Sequence, residues 1–339
     1  MIEREGFDSL QLAAYYRERI IRPQTREVFL SKIPKAEVEG STHAYINCEG
    51  YGMVRRSTTQ RSDWPDIDIL PNLVPSKLGI TREEAETTQI FRLGACNFRC
   101  WYCFVDFRYL KSNPEYGDFM SVEKMVDLYQ AQENAPKIIY LTGGQPDLAP
   151  EWTFWMMEEL EKRDLVNKVF LWQDDNLSST ALWDHLTSEQ IHKMANYKLY
   201  ARATCLKGIS PETFAINTGA NGRFFDLQIK TLARLVKEGF DIYAYLTLLS
   251  PDLDHAKTSL PLLIDRLRTE VHPLMPLRVF PSKVVEFAQT SKRLNDEDRL
   301  MLDNQKDLLA IWNDELAKRY NPAEIATHPT CIELSGHAR

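Results

Sequence analysis

The sequence predicts an α/β fold: a parallel sheet with helices packed outside it. Three observations carry this. From Thr88 onward, short apolar segments of strand length alternate with longer amphipathic ones, and regular βα alternation builds a parallel sheet. About six such units occur, too few for a closed eight-stranded barrel. At 44% apolar and 26% charged residues over 339 positions, the chain has an ordinary globular composition and enough length for a sizeable core.

Before Thr88 the pattern is different. Gln11 to Arg22 reads as a helix. His43–Cys48 and Tyr51–Arg55 read as two short strands joined by a turn at Glu49-Gly50. Ser62 through Asp63, Trp64, Pro65, Asp66, Asp68 and Pro71 to Pro75 is rich in Pro and Asp and reads as irregular. Residues 1–85 are therefore expected to form an N-terminal extension packed on the core.

The core is expected over residues 86–290. Its strands are Gln89–Leu93, Lys137–Thr142, Lys168–Trp172, Lys198–Thr204, Asp241–Leu248 and Leu277–Phe280. Its helices are Ser121–Glu133, Glu151–Lys162, Ser188–Asn196, Asp226–Glu238 and Ala256–Arg268. Ser121 is an N-cap with Lys124 where a capping box has an acid or amide, and Gly239 is a helix stop. Asn295–Arg319 is a further helix, in a C-terminal helix and tail over residues 291–339. The charged stretch Asn295–Asp307 reads as its solvated face.

The bulk properties exclude some roles. A net charge of −7 leaves no basic field for nucleic acid. The longest apolar runs, such as Ile242–Leu246, are far too short for a bilayer. Met1–Glu5 is charged with no apolar stretch after it, so no signal peptide is expected. Six cysteines in 339 residues make no disulfide framework. A reducing, cytoplasmic location is expected, with no membrane or nucleic-acid partner.

Three of those cysteines, Cys96, Cys100 and Cys103, lie within eight residues as C-x3-C-x2-C. They supply three soft ligands from one loop, directly after the first core strand. A [4Fe–4S] cluster takes one thiolate per iron. Three thiolates leave one iron open, and an open coordination position marks a catalytic metal. A structural zinc site wants a fourth Cys or His nearby, yet no His lies between His43 and His185. A second glycine-rich loop, Thr142-Gly143-Gly144-Gln145-Pro146, follows the next strand. Glycines at a strand end allow close backbone approach to a ligand.

The spacing and this second loop together resemble the radical S-adenosylmethionine (radical SAM) superfamily over about Thr88 to Phe280. The resemblance implies a partial (β/α)6 barrel whose cluster loop follows the first strand. It implies that the open iron chelates the amino and carboxylate groups of SAM, which is cleaved reductively to a 5′-deoxyadenosyl radical. Tyr102, before the last cysteine, would lie near the adenine. Gly143, Gly144, Gln145 and Pro146 resemble the family's GGEP segment, which binds the SAM amino group, with Gln145 replacing the usual Glu.

Further candidates end later strands. Gln173, with Asp174, Asp175 and Asn176, is expected to meet the SAM methionine or ribose. Arg202 and Lys207 are candidates for the SAM carboxylate; being five residues apart, they face opposite sides of an ideal strand. Lys207-Gly208 with Thr218-Gly219 is similar to a segment of glycyl-radical-enzyme activases such as pyruvate formate-lyase activating enzyme, with Cys205 where those have Asp. Cys205 is a candidate hydrogen-atom donor or a buried small hydrophobe; Cys331 is weighed the same way, and Cys48 has no assigned role. Arg99, Trp101, Phe104 and Arg108 flank the cluster loop, as tuning, docking or packing residues. Trp152, Trp155 and Trp172 read as core.

The expected function is hydrogen abstraction from a small-molecule or natural-product substrate, with a flavodoxin or ferredoxin as one-electron donor. One alternative is an activase acting on a partner glycyl radical enzyme. Another is a non-catalytic Fe–S protein, toward which only Gln145 leans.

Overall fold

The computed structural model describes residues 6–57, 64–65 and 68–334. Eleven strands occur among them: β1 Ile21–Arg22, β2 Glu27–Ser31, β3 Ala44–Asn47, β4 Gly52–Arg56, β5 Thr87–Leu93, β6 Gly117–Ser121, β7 Ile138–Gly143, β8 Phe170–Asp175, β9 Tyr200–Leu206, β10 Ile242–Thr247 and β11 Val279–Ser282. Six of them, β5-β7-β8-β9-β10-β11, pair in parallel in that order. Each is followed by at least one helix. This is the expected (β/α)6 arrangement, and the sheet path ends at β11 without closing.

The strands before β5 join the core edge to edge. β4 lies antiparallel on β5, and β3 pairs with β4 outside it. β2 meets the end of β5 at the pair Leu30–Leu93 and carries β1 and β6 as antiparallel neighbours. The Glu49-Gly50 turn joins β3 to β4, with both residues at positive φ (58° and 94°). β2 and β6 were not expected; Val28-Phe29-Leu30 was their faint signal.

The irregular stretch needs correction. Its members Ser62, Asp63 and Asp66 lie outside the described residues. Pro71 and Pro75, however, sit in a helix, Ile69–Leu78. Pro71 falls in the first turn, where backbone N–H groups have no intrahelical partner. Pro75 does cost an internal hydrogen bond, but the helix buries Ile69, Leu73 and Val74. Tertiary burial outweighs propensity here. Gly79 ends the helix with φ +67°. Its apolar side packs on Ile138, Phe170, Trp172, Ala203, Tyr243 and Phe280, so this helix plugs the barrel floor. Trp64 is buried beside it and donates from Nε1 to the Pro281 carbonyl at 2.8 Å.

The C-terminal helix is also revised. It is two helices, Asp296–Asp303 and Gln305–Ala317. At the break, Asn304 donates from Nδ2 to the Ser250 carbonyl. Asp298 and Gln305 are buried rather than solvated, because each turns inward to cap or bridge backbone. Trp152, Trp172 and Trp312 lie fully in the core.

If the floor helix is a plug, Leu73→Ala should lower the unfolding free energy by about 2–5 kcal/mol in a urea titration. An unchanged midpoint would show that the helix merely rests on the barrel.

Candidate functional site

Adjacent parallel strands bring the two motifs together. β5 runs into the cysteine loop and its neighbour β7 into the glycine loop, with Leu93 and Gly143 in register. Beyond the strands, Gly144 N–H donates to the Leu93 carbonyl at 3.0 Å and Gln145 N–H to the Ala95 carbonyl at 2.7 Å. A Cβ built on Gly144 would lie 1.7 Å from the Ala95 oxygen. Glycine is therefore required there by contact between the two loops, whereas the sequence reading assigns it to contact with a ligand. Gly143 has φ +95°, and its Cβ would strike Arg92. Pro146 begins a buried 3-10 turn.

Other elements brace the cysteine loop. Cys96 N–H donates to Leu110, Arg99 N–H to Thr218, and Ser112 N–H to Gly94. The Arg99 guanidinium donates to the Cys96 and Phe98 carbonyls and to Tyr16 Oη, so Arg99 holds the loop from within. Trp101 Nε1 reaches Asn217 Oδ1 at 3.3 Å, Arg293 donates to the Cys103 carbonyl, and Arg108 pairs with Asp106. Phe104 is exposed beside Phe287.

A cavity of about 370 Å³ opens between the loops. Cys96, Cys100, Cys103, Tyr102, Gly143, Gly144, Gln145, Cys205 and Lys207 all line it. So do Tyr140, Thr142, Asp174, Asp175 and Asn176. Gln173 and Arg202 do not. Both are wholly buried on the helix-facing side of β8 and β9. Gln173 accepts from Thr153 Oγ1 at 2.9 Å and Tyr200 Oη at 2.6 Å and donates to Asp147. Arg202 is paired with Asp147 and, at 3.4 Å, with Asp175. These two residues support the site from behind.

Gln145 explains its own departure from the motif. Its Nε2 donates to Asp175 Oδ1 at 2.8 Å, and its Oε1 accepts from Asn176 N–H at 2.8 Å. A glutamate could not donate to Asp175. Burial, and then the charge of Asp147, push the Asp175 carboxyl up to about 7, with Arg202 and Gln145 opposing. Asn176 lies next in the chain, with Nδ2 3.7 Å from Cys96 Sγ; Phe98 N–H is 3.5 Å from the same sulfur. Such N–H···S contacts tune an iron–sulfur cluster.

Lys207 and Tyr102 meet at the cysteine end. The Lys207 ammonium lies 5.9 Å from the Tyr102 ring centroid. Burial opposes its charge, but the Cys205, Tyr102 and Cys100 groups more than offset this and raise its pKa. Tyr102 Oη is 3.3 Å from Thr247 Oγ1, and Cys205 Sγ is 3.9 Å from the same oxygen. Farther in, Asp174 accepts from Tyr140 Oη at 2.8 Å and from Thr142 Oγ1. Sequence reasoning missed Tyr140, which reads as an ordinary strand residue, and gave Thr142 no role beyond heading the glycine loop.

The donor set suits a cluster. Burial pushes all three thiols up, Cys100 to about 12, so a bound metal must displace their protons. Among the described residues no three Cys, His, Asp or Glu side chains close round a single ion. A cubane does not ask for that, since it takes one thiolate per iron.

No curated protein matches this sequence. Among solved structures, SuiB of Streptococcus suis bound to S-adenosylmethionine is similar at 15% identity and a TM-score of 0.46, over 68% of this chain and 47% of that one. SuiB bound to its precursor peptide SuiA is matched over 35% of its length. This chain thus spans less than half of either SuiB chain. TYW1 with a lysine–pyruvate adduct is similar at 14% identity and a TM-score of 0.45, over 84% of this chain and 90% of that one. Native anSMEcpe with bound AdoMet is similar at 17% identity and a TM-score of 0.42, over 66% and 59%. None of these adds to the activase likeness.

Two outcomes test the geometry. Gly144→Ala should destabilise the protein by about 1–3 kcal/mol through overpacking and lower iron retention; unchanged stability would mean the loops can part without loss. The Asp175 pKa is raised on folding, so the folded state binds the extra proton between about pH 4 and 7. That contribution to stability is full below about pH 4 and is lost as pH rises through 7. Asp175→Asn should flatten this part of the stability–pH curve, and an identical slope would contradict the assignment.

The Radical SAM superfamily model matches residues 90–257, which hold both loops and the strands that carry them, and through that domain the chain belongs to the radical SAM superfamily.

Proposed function

We propose that the chain is a radical SAM enzyme acting on a small molecule. The observation that supports it best is that the three cysteines and Gly143, Gly144 and Gln145 line one cavity, with their two loops joined by the Gly144–Leu93 and Gln145–Ala95 backbone hydrogen bonds. Cys96, Cys100 and Cys103 would hold a [4Fe–4S] cluster. SAM would lie between their loop and Gly143–Pro146. When bound, the pair supplies a 5′-deoxyadenosyl radical that abstracts hydrogen from a substrate C–H bond, given one electron from a flavodoxin or ferredoxin.

The chain's own residues do the rest. Backbone of the Gly143–Pro146 loop would meet the SAM amino group. Lys207 would offer its ammonium to the SAM carboxylate, and Tyr102 a ring face to the adenine. Cys205, beside Thr247 in the cavity wall, is the candidate for returning a hydrogen atom. Gln145 leaned toward a non-catalytic protein, but its partnership with Asp175 gives it a structural reason to differ.

Among the described residues no helix is long and apolar enough to cross a membrane.

Anaerobic reconstitution should yield about four iron per chain and, with dithionite and SAM, release 5′-deoxyadenosine. Cys96→Ala, Cys100→Ala or Cys103→Ala should abolish both. One tightly held zinc with no iron uptake, or an intact reducible cluster that leaves SAM uncleaved, would overturn the reading.

A further inference from the structure

The charged groups lining the cavity are almost all matched. Arg92 pairs with Glu37 at 2.6 Å. Asp174 is filled by Tyr140 and Thr142. Asp175 is held by Gln145, Leu177 N–H and Arg202. Lys207 faces the cysteine end. That leaves Arg55, which lines the cavity and whose guanidinium has no hydrogen-bond or ion-pair partner among the described residues. Its neighbour Arg56 points the other way and meets two acids, Glu83 at 3.2 Å and Glu86 at 3.1 Å. Acids are thus at hand on the outer side of β4, while on the cavity side Arg55 is solvent-exposed and without a partner among the described residues.

The register fixes where that cation stands. Arg55 pairs with Thr88 at the start of β5, whereas Gly143 pairs with Leu93 at its end. Five residues of strand separate these levels, about 16 Å. Arg55 therefore rises from the floor end, beneath the SAM loops, with Ile90, Tyr140 and Tyr245 among the walls above it. Arg92 cannot take its place, being neutralised by Glu37.

We propose that the substrate is a small anion, carrying a carboxylate or phosphate that Arg55 binds at the floor end. The rest of the molecule then points up toward the cysteine loop. A guanidinium holds either group through two parallel hydrogen bonds. The proposal rests on the radical SAM reading, which assigns the cysteine end of the cavity to cofactor.

The test uses cluster-reconstituted enzyme saturated with SAM, so that Lys207 is occupied. Inorganic phosphate and acetate are titrated separately at constant ionic strength, with binding read by 31P and 13C NMR linewidths. Wild type should bind at least one probe saturably. Arg55→Gln should weaken it at least tenfold, and Arg55→Lys should retain part of it. Iron content and melting temperature establish that the variants are folded. The tighter probe identifies the group as phosphate or carboxylate. Equal binding in Arg55→Gln, or no saturable binding of either probe by SAM-loaded wild type, overturns the proposal and leaves the radical SAM reading standing. If wild type fails to bind SAM, that reading falls instead, and the probe titration is judged on the cluster-loaded protein alone.

Discussion

Two backbone hydrogen bonds, from Gly144 to the Leu93 carbonyl and from Gln145 to the Ala95 carbonyl, hold the two functional loops together. They continue the β5–β7 pairing past the ends of both strands. Because they are backbone bonds, they fix the loops wherever no side chain intrudes between them. Their length requires residue 144 to lack a Cβ. A cavity with cysteines on one wall and glycine backbone on the next is the direct result. Lys207 and Cys205 reach it only because β9 extends the same parallel sheet through β8.

Behind this contact lies a buried polar layer. Asp147, Arg202, Asp175 and Gln145 form a chain of ion pairs and hydrogen bonds, with Gln173 joined through Asp147. Removing one partner from such a layer strands a buried charge, which is worse than never having built it. Its role is to set the height and angle of the Gln145–Asn176 contact. Gln145, where the family has Glu, thus has a hydrogen-bond partner in Asp175 that an ionised glutamate could not serve.

Much of this was legible in the chain. Six parallel strands showed as short apolar runs, and both loops showed because Cys and Gly clusters fell just past strand ends. What failed had physical causes. Gln173 and Arg202 were placed at the site because they end their strands. Strands buried on both faces carry no polar alternation, so nothing in Phe170-Leu171-Trp172-Gln173 tells inner from outer. The floor helix was hidden by Pro71 and Pro75, since its stability comes from burial against residues far away in the chain. Tyr140 and Thr142 acquire meaning only through Asp174, more than thirty residues away.

If the three-cysteine loop leaves one iron open, SAM binds that iron across from Gly143–Pro146. Pulsed electron–nuclear double resonance on the reduced cluster tests it most directly, using SAM labelled with 15N at the methionine amino group. A 15N hyperfine coupling should appear with labelled SAM and be absent without it. A reduced cluster whose spectrum is identical with and without SAM would contradict it.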